Sequence, residues 1–476
     1  MIRAGTLAFL LILVLSPLTN AQSDDSGQRQ EPLPAVVEPL LTPARTGLEP
    51  AQGGTEFPYA EPLSVPAVVS GVRSPITVGA EGTRSNFVTG SLQFVGGFDD
   101  NAALTGGKRV SDFSYLFAPG ILLSKTRERW NWTLGYNPGF TINQHLSERN
   151  QSSHNLSTYL TFRLSPHVTL RFLDSFEKSS SLFSGVLASP LVPESGPVHG
   201  PNQSLITPLA QRTANLTGVD LGYQFGANSM IGGGGTYYLT NYDQVAGRAG
   251  TSTGLIDNRS IAADGYYAHH FSNKQWFGTR YDFQRMTFDI GGQTTVYRMA
   301  VFYVVPLGTS MSVSLWAGPE RSSTAVPATS DSLLARSDLR WSGAGGASFD
   351  WTGQHTGFRA GYVRRTSDGG GLSAAVALEQ VDAGLRHQLS ARWFTDLGIS
   401  YANNNPIQTS SNSAGKIRVL TLTAGLARKV TNNLSFGVQY GRDHQRSTDA
   451  PSSLGLVQRN RVLLSLSYSF SRPLGR

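Results

Sequence analysis

The sequence predicts an all-β fold: a closed antiparallel transmembrane β-barrel of about 18 strands behind a disordered N-terminal segment. Three observations predict it. The last stretch, Arg459 to Phe470, sets Val462, Leu464, Leu466, Tyr468 and Phe470 on alternate positions, with Ser465, Ser467 and Ser469 between them. That period of two belongs to a strand with one oily and one polar face. The same pattern recurs backward through about 380 residues, as it does in barrels whose alternate residues face lipid and lumen. Finally, the segments are joined alternately by short turns and by mostly longer stretches.

Composition fits an exported chain. Charged residues make up 15% of the 476, Gly numbers 52, Tyr 17 and Phe 23, and Cys is absent. Without Cys there are no disulfides, no thiolate metal sites and no lipid attachment through an N-terminal Cys. The net charge of +7 comes from single, scattered basic residues, which excludes a nucleic-acid-binding surface.

Arg3, the apolar run Leu7 to Leu15 and the small residues Thr19 and Ala21 read as a signal peptide over 1–21. Nine apolar residues are too few to cross about 30 Å of hydrocarbon as a helix. No later segment reaches about 18 uninterrupted apolar residues, so a membrane role requires a closed barrel. Residues 22–86 recur in Pro with Gly, Glu and Ser and show no period. They read as a Pro-rich disordered periplasmic segment acting as a spacer. The barrel occupies 87–476.

The first strand is expected at 87–98. In 112–124, Phe113, Tyr115, Phe117, Ile121 and Leu123 share a face; in 129–141, Trp130, Trp132, Leu134 and Tyr136 alternate with Asn131, Thr133, Gly135 and Asn137. The series continues through 154–164, 168–178, 213–225, 230–242, 258–271, 275–288, 294–307, 311–322, 338–351, 355–367, 371–386, 390–402, 416–428, 433–445 and 458–470. In 371–386 both phases are apolar. The run "GGGG" at 232–235 lies inside a strand, where it permits curvature or close contact. Short turns such as "KTRE", "SPH" and "VTNN" alternate with 99–111, 142–152, 180–212, 243–257, 289–293, 323–337, 368–370, 403–415 and 446–457. An even strand number puts both ends on the short-turn side, the periplasm by the barrel rule, with 180–212 and 323–337 outside the cell. Trp130, Trp276, Trp351 and Trp393 fall at strand ends, where amphipathic rings mark a membrane boundary.

Over 87–470 the chain resembles bacterial outer-membrane β-barrels of the porin-like kind, on this alternation and on a closing strand ending in Phe470. In that class the terminal aromatic is part of the signal read by the barrel-assembly machinery; here Ser471 to Arg476 follow it. The resemblance implies the outer membrane of a Gram-negative-type bacterium, contact with its lipid and lipopolysaccharide, the assembly machinery as partner during insertion, and an open question of oligomerisation. The connection 180–212 resembles the inward-folding third loop of porins in rank and length; an external cap is the other reading.

The phase opposite each oily face points inward. It carries Arg163, Arg171, Arg280, Arg298, Arg340, Arg359 and Arg392, with Asp220, Asp264, Asp282, Asp350 and Asp396. A charged Arg costs about 2–4 kcal/mol at the lipid midplane, so inward placement is required of any real barrel. These side chains either form structural ion pairs or set a field along an aqueous pore. Asp282 is the expected counter-charge of Arg280 and Arg298, and the excess of Arg predicts weak anion preference.

None of the nine His has metal-ligand spacing, and no GxSxG elbow is present. Asp443 and His444 are adjacent on a strand and so face opposite sides. The sequence therefore predicts no enzyme and no cofactor. It points to passive diffusion of small hydrophilic solutes. A conduit for polysaccharide export, like the alginate-type exporters, and a surface adhesin or scaffold barrel are the alternatives.

Overall fold

The structure is a computed structural model that describes residues 86–104, 109–179, 202, 204–206, 211–243, 255–271, 275–326, 336–407, 415–448 and 456–474. The expected signal peptide, and the expected Pro-rich segment except Asn86, lie outside the described residues. So does most of 180–212, and so does most of 323–337.

The strands follow one another as β1 Phe87–Asp99, β2 Asp112–Thr126, β3 Trp130–Asn143, β4 Gln151–Ser165, β5 Val168–Ser179, β6 Gln211–Gln224, β7 Ser229–Asp243, β8 Asn258–His270 and β9 Trp276–Phe288. Then come β10 Gln293–Leu307, β11 Met311–Val326, β12 Arg336–Thr352, β13 Thr356–Gly369, β14 Ser373–Gln388, β15 Trp393–Pro406, β16 Ile417–Lys429, β17 Leu434–Ser447 and β18 Leu456–Pro473. Each pairs antiparallel with the next, and β18 pairs with β1. The sheet is an 18-stranded up-and-down barrel without free edges. Among the described residues the one helical element is the 3-10 turn Ser147–Arg149.

Alternation does the sorting that the sequence implies. On β18, Leu464, Leu466, Tyr468 and Phe470 are 43–50% exposed on the outer wall, whereas Leu463 is buried on the inner one. Phe113, Tyr115 and Phe117 on β2, and Leu397, Ile399 and Tyr401 on β15, repeat the outward row. An outer wall this apolar requires lipid as its solvent. The architecture is that of a porin-like outer-membrane β-barrel.

The seam explains why the chain continues past Phe470. Strand β18 runs on to Pro473, and Ser471, Arg472 and Pro473 pair with Thr89, Val88 and Phe87. Phe470 stands opposite Gly90, and its ring fills the space that a Cβ at Gly90 would need.

Turns at one end hold two to five residues; the other end carries all the long connections. Three differences from the sequence reading matter. Trp276 faces inward and is buried among Tyr266, Ala268 and Phe302, so it is not a boundary residue. Arg392 lies in the turn before β15 and is exposed, not on the wall. Last, the long-loop ends of β13 and β14 do not stay in the wall, although β14 remains paired with β15 from Val376 onward. Strand β12 pairs with β13 only from Gly345↔Arg364 to Thr352↔Gly357, so residues 365–369 leave it. Beyond a register shift at Asp368/Gly369 the tip turns through Gly370 and Gly371 at φ +55° and +87°, the left-handed region that favours glycine.

Candidate functional site: the barrel lumen

The tip of the β13–β14 hairpin folds into the long-loop end of the lumen. Ala375 packs with Ile256, Met286, Phe288 and Val296, on the wall formed by β8 to β10. Leu372 packs with Tyr242, Leu255, Ile417 and Val419, and Leu205 and Ile206 of the third connection join that cluster. Residues buried on both sides must be apolar in both phases. That accounts for the two-sided apolar stretch at the start of β14, where Ala375, Val376 and Leu378 are all buried.

The described residues of the third connection lie inside the mouth. The Asn202 backbone N–H donates to Asp368 Oδ1 at 2.7 Å, and its side-chain amide donates to the Asp368 carbonyl at 3.0 Å and to Asn404 Oδ1 at 2.7 Å. Asn258 Nδ2 donates to Asp368 Oδ2 at 2.8 Å. Farther round the wall, Ile206 N–H donates to Gln445 Oε1 at 2.9 Å, and Gln445 Nε2 donates to the Ile206 carbonyl at 3.0 Å. Asn404 and Gln445 occupy inward positions and are fully buried. For Asn202 and Ser204–Ile206, therefore, the inward-folding reading holds and the external cap does not.

Below the tip the wall is ionic. Arg171 pairs with Asp220 at 3.2 Å. Arg280 pairs with Asp264 at 3.3 Å and with Asp282 at 2.5 Å. Arg298 takes Glu320 at 2.6 Å. Glu320 also accepts from Thr366 Oγ1 at 2.6 Å and from the Thr366 N–H at 3.1 Å. One carboxylate on β11 thus ties Arg298 of the wall to the departing arm of β13. Arg359 pairs with Asp350 at 2.5 Å, and Arg386 with Asp396 at 2.8 Å. A second group joins Asp443 to Arg459 at 2.6 Å and to Arg461 at 3.0 Å, with Asp99 at 3.7 Å from Arg459. Buried charges of this kind persist only when paired and hydrogen-bonded.

Of the residues expected on the inner wall, Arg163, Arg171, Arg280, Asp282, Arg298, Arg340 and Arg359 occupy inward positions, and Arg392 does not. Arg280 and Arg298 are buried at 3% and 1% exposure, so neither touches water. Arg163 is partly exposed and Arg340 exposed. Asp282 serves Arg280 directly, while Arg298 uses Glu320, which the sequence reading missed. Glu320 sits on the inward phase of its strand with Trp316 and Ser322, so the alternation could have found it. Arg459, Arg461 and Asp443 were open to the same reasoning. Asn202, Asn404 and Gln445 were not, because their partners lie 166 to 239 residues away.

Toward the short-turn end, β7 to β13 carry an inward apolar strip that includes Met230, Tyr266, Trp276, Phe302, Trp316 and Val363. The Tyr266 ring takes the place of a side chain at Gly232, the first residue of the glycine run. Close contact, one of the two readings of that run, is what occurs there. Among the described residues no group of three or more metal-ligating side chains occurs.

No protein-family model and no curated protein matches the chain. Solved structures with similar folds include Pseudomonas aeruginosa OccK2 (OpdF), 9% identical over 81% of this chain and 98% of that one, TM-score 0.42. P. aeruginosa OpdQ is 13% identical over 82% of this chain and 100% of that one, TM-score 0.41. The FrpB iron transporter of Neisseria meningitidis is 9% identical over 82% of each chain, TM-score 0.39. Likeness at this level carries no information about solute or charge preference.

Proposed function

We propose that the barrel is a passive outer-membrane channel for small hydrophilic solutes, with its long-loop end outside, residues 22–86 in the periplasm and a weak preference for anions. The observation that carries the reading is the inner wall. A closed 18-stranded barrel is wide enough to enclose an aqueous lumen. Outside the apolar strip of β7 to β13 its inner wall is polar, and the tip of β13–β14 with Asn202 and Ser204–Ile206 narrows one end. Narrowing suits small solutes. Pairing of most inward Arg with carboxylates breaks up the basic track that an acidic polysaccharide would follow, so the channel reading is preferred to the export conduit.

Anion preference rests on Arg163 and Arg340. Both point inward, both meet water, and neither has a side-chain partner among the described residues. Confinement between low-dielectric walls strengthens the field of such charges. Arg280 and Arg298 are locked in buried pairs and contribute little. The test is the zero-current potential across a planar bilayer in a potassium chloride gradient. Weak anion selectivity is expected, reversed by Arg163→Glu with Arg340→Glu. Cation preference in the unaltered protein would overturn the reading.

A further inference from the structure

The outward faces of β16 and β17 break the apolar rule at the long-loop end. Going up β17, Phe436, Val438 and Tyr440 are outward and 37–42% exposed; the next outward positions are Arg442, His444 and Arg446. On β16, Leu426 and Leu422 lead up to Arg418. Register places Arg418 directly opposite Arg446, and all three Arg are exposed. Like charges facing each other across a strand pair are destabilising on their own. None of the three has an ion-pair partner among the described residues. Nearby carboxylates are occupied: Glu379 lies 3.6 Å from Arg364 and accepts from Asn403, while Asp100 accepts from Asn460 and pairs with Arg109. Tyr440, whose hydroxyl donates to Asn460 at 2.9 Å, marks the aromatic boundary beneath the cluster.

We infer that Arg418, Arg442 and Arg446 form a binding site for the phosphate groups of an outer-leaflet glycolipid. The inference rests on the long-loop end being the outer one. The cluster begins where the apolar band stops, the level at which a lipid anchored by its chains presents its phosphates. Guanidinium forks bind phosphate oxygens bidentately. A bisphosphorylated headgroup bridging Arg418 and Arg446 turns a repulsive pair into a neutralised one. A free anion supplies the same chemistry without the acyl chains that the exposed Leu422, Val438 and Val462 receive.

The test uses the purified, folded full-length protein in detergent, with native mass spectrometry against four probes: bisphosphorylated lipid A, its monophosphorylated form, phosphatidylglycerol and inorganic phosphate. Retention of bisphosphorylated lipid A is expected. It should weaken about tenfold or more in an Arg418→Gln, Arg442→Gln, Arg446→Gln variant, as losing charge-assisted hydrogen bonds implies. Arg259→Gln with Arg285→Gln, which removes outward arginines on β8 and β9, should leave retention unchanged. Without lipid, Arg446→Gln alone should raise the unfolding temperature; with lipid A it should lower it. Equal retention by the triple variant, or equal binding of phosphatidylglycerol or inorganic phosphate, overturns the proposal. Bilayer conductance of the triple variant should match the unaltered protein, which keeps this claim separate from the channel reading.

Discussion

Gln445 holds Ile206 by both its backbone groups, accepting from the N–H at 2.9 Å and donating to the carbonyl at 3.0 Å, across 239 residues of sequence. Backbone outside the sheet in a barrel mouth needs partners for its polar groups, and this side chain supplies two. Gln445→Met keeps the length and removes both bonds. Amide hydrogen exchange at Ile206 should then accelerate while exchange on β17 and β18 stays slow. Unchanged protection at Ile206 would show that the clamp does not hold the segment.

Glu320 is the second tie. It is 1% exposed and joins Arg298 to the inward arm of β13 through Thr366. Glu320→Ala leaves Arg298 buried without its carboxylate, a loss of about 3–5 kcal/mol for a broken buried pair. A lower unfolding temperature in detergent is expected. Replacing Glu320 and Arg298 together with Met should restore most of the loss, because paired removal leaves no uncompensated charge. Equal damage in the single and double variants would contradict the role given to the pair.

The β1–β18 seam makes a prediction about assembly. Phe470 covers Gly90, so the glycine and the ring form one unit. Phe470→Ala and Gly90→Leu should both reduce the fraction of protein that resists unfolding in cold detergent electrophoresis and raise the fraction degraded by periplasmic protease. Full insertion of both variants would remove the seam from the account of assembly.

Orientation can be read with single cysteines, since the chain has none. Thr448 at the long-loop end and Thr431 in the turn between β16 and β17 are both exposed. On intact cells an impermeant thiol reagent should label Thr448→Cys and spare Thr431→Cys. The reverse pattern would invert the proposed topology.

The barrel was legible because alternation is a local property. Val462 to Phe470 carry it within nine residues, and the strands repeat it with the exception of the start of β14. Lumen contacts were legible only where one strand or two neighbouring strands supply both partners, as for Arg280 with Asp282 on β9 and Arg359 with Asp350 across β13 and β12. The folded-in tip left a local trace, the two-phase apolar run around Ala375 and Leu378, but alternation alone cannot say that such a run turns into the lumen. The seating of Asn202 on Asp368 and of Ile206 on Gln445 depends on which strands the closed ring brings across from one another. No period in the sequence encodes that. Trp276 was misplaced for a different reason: it shares its phase on β9 with Arg280 and Asp282, which alternation already turns inward, whereas Phe277 and Tyr281 point outward, and its place at a strand end was weighed above that phase.

The central claim is that solutes pass through a lumen narrowed by the β13–β14 tip and the residues around Asn202 and Ile206. Single-channel conductance in planar bilayers tests it most directly, comparing the unaltered protein with an Asn202→Ala, Gln445→Ala variant that still shows the folded electrophoretic form. The account predicts small discrete openings for the unaltered protein and clearly larger steps for the variant. A silent unaltered protein, or steps of equal size in both, would contradict it.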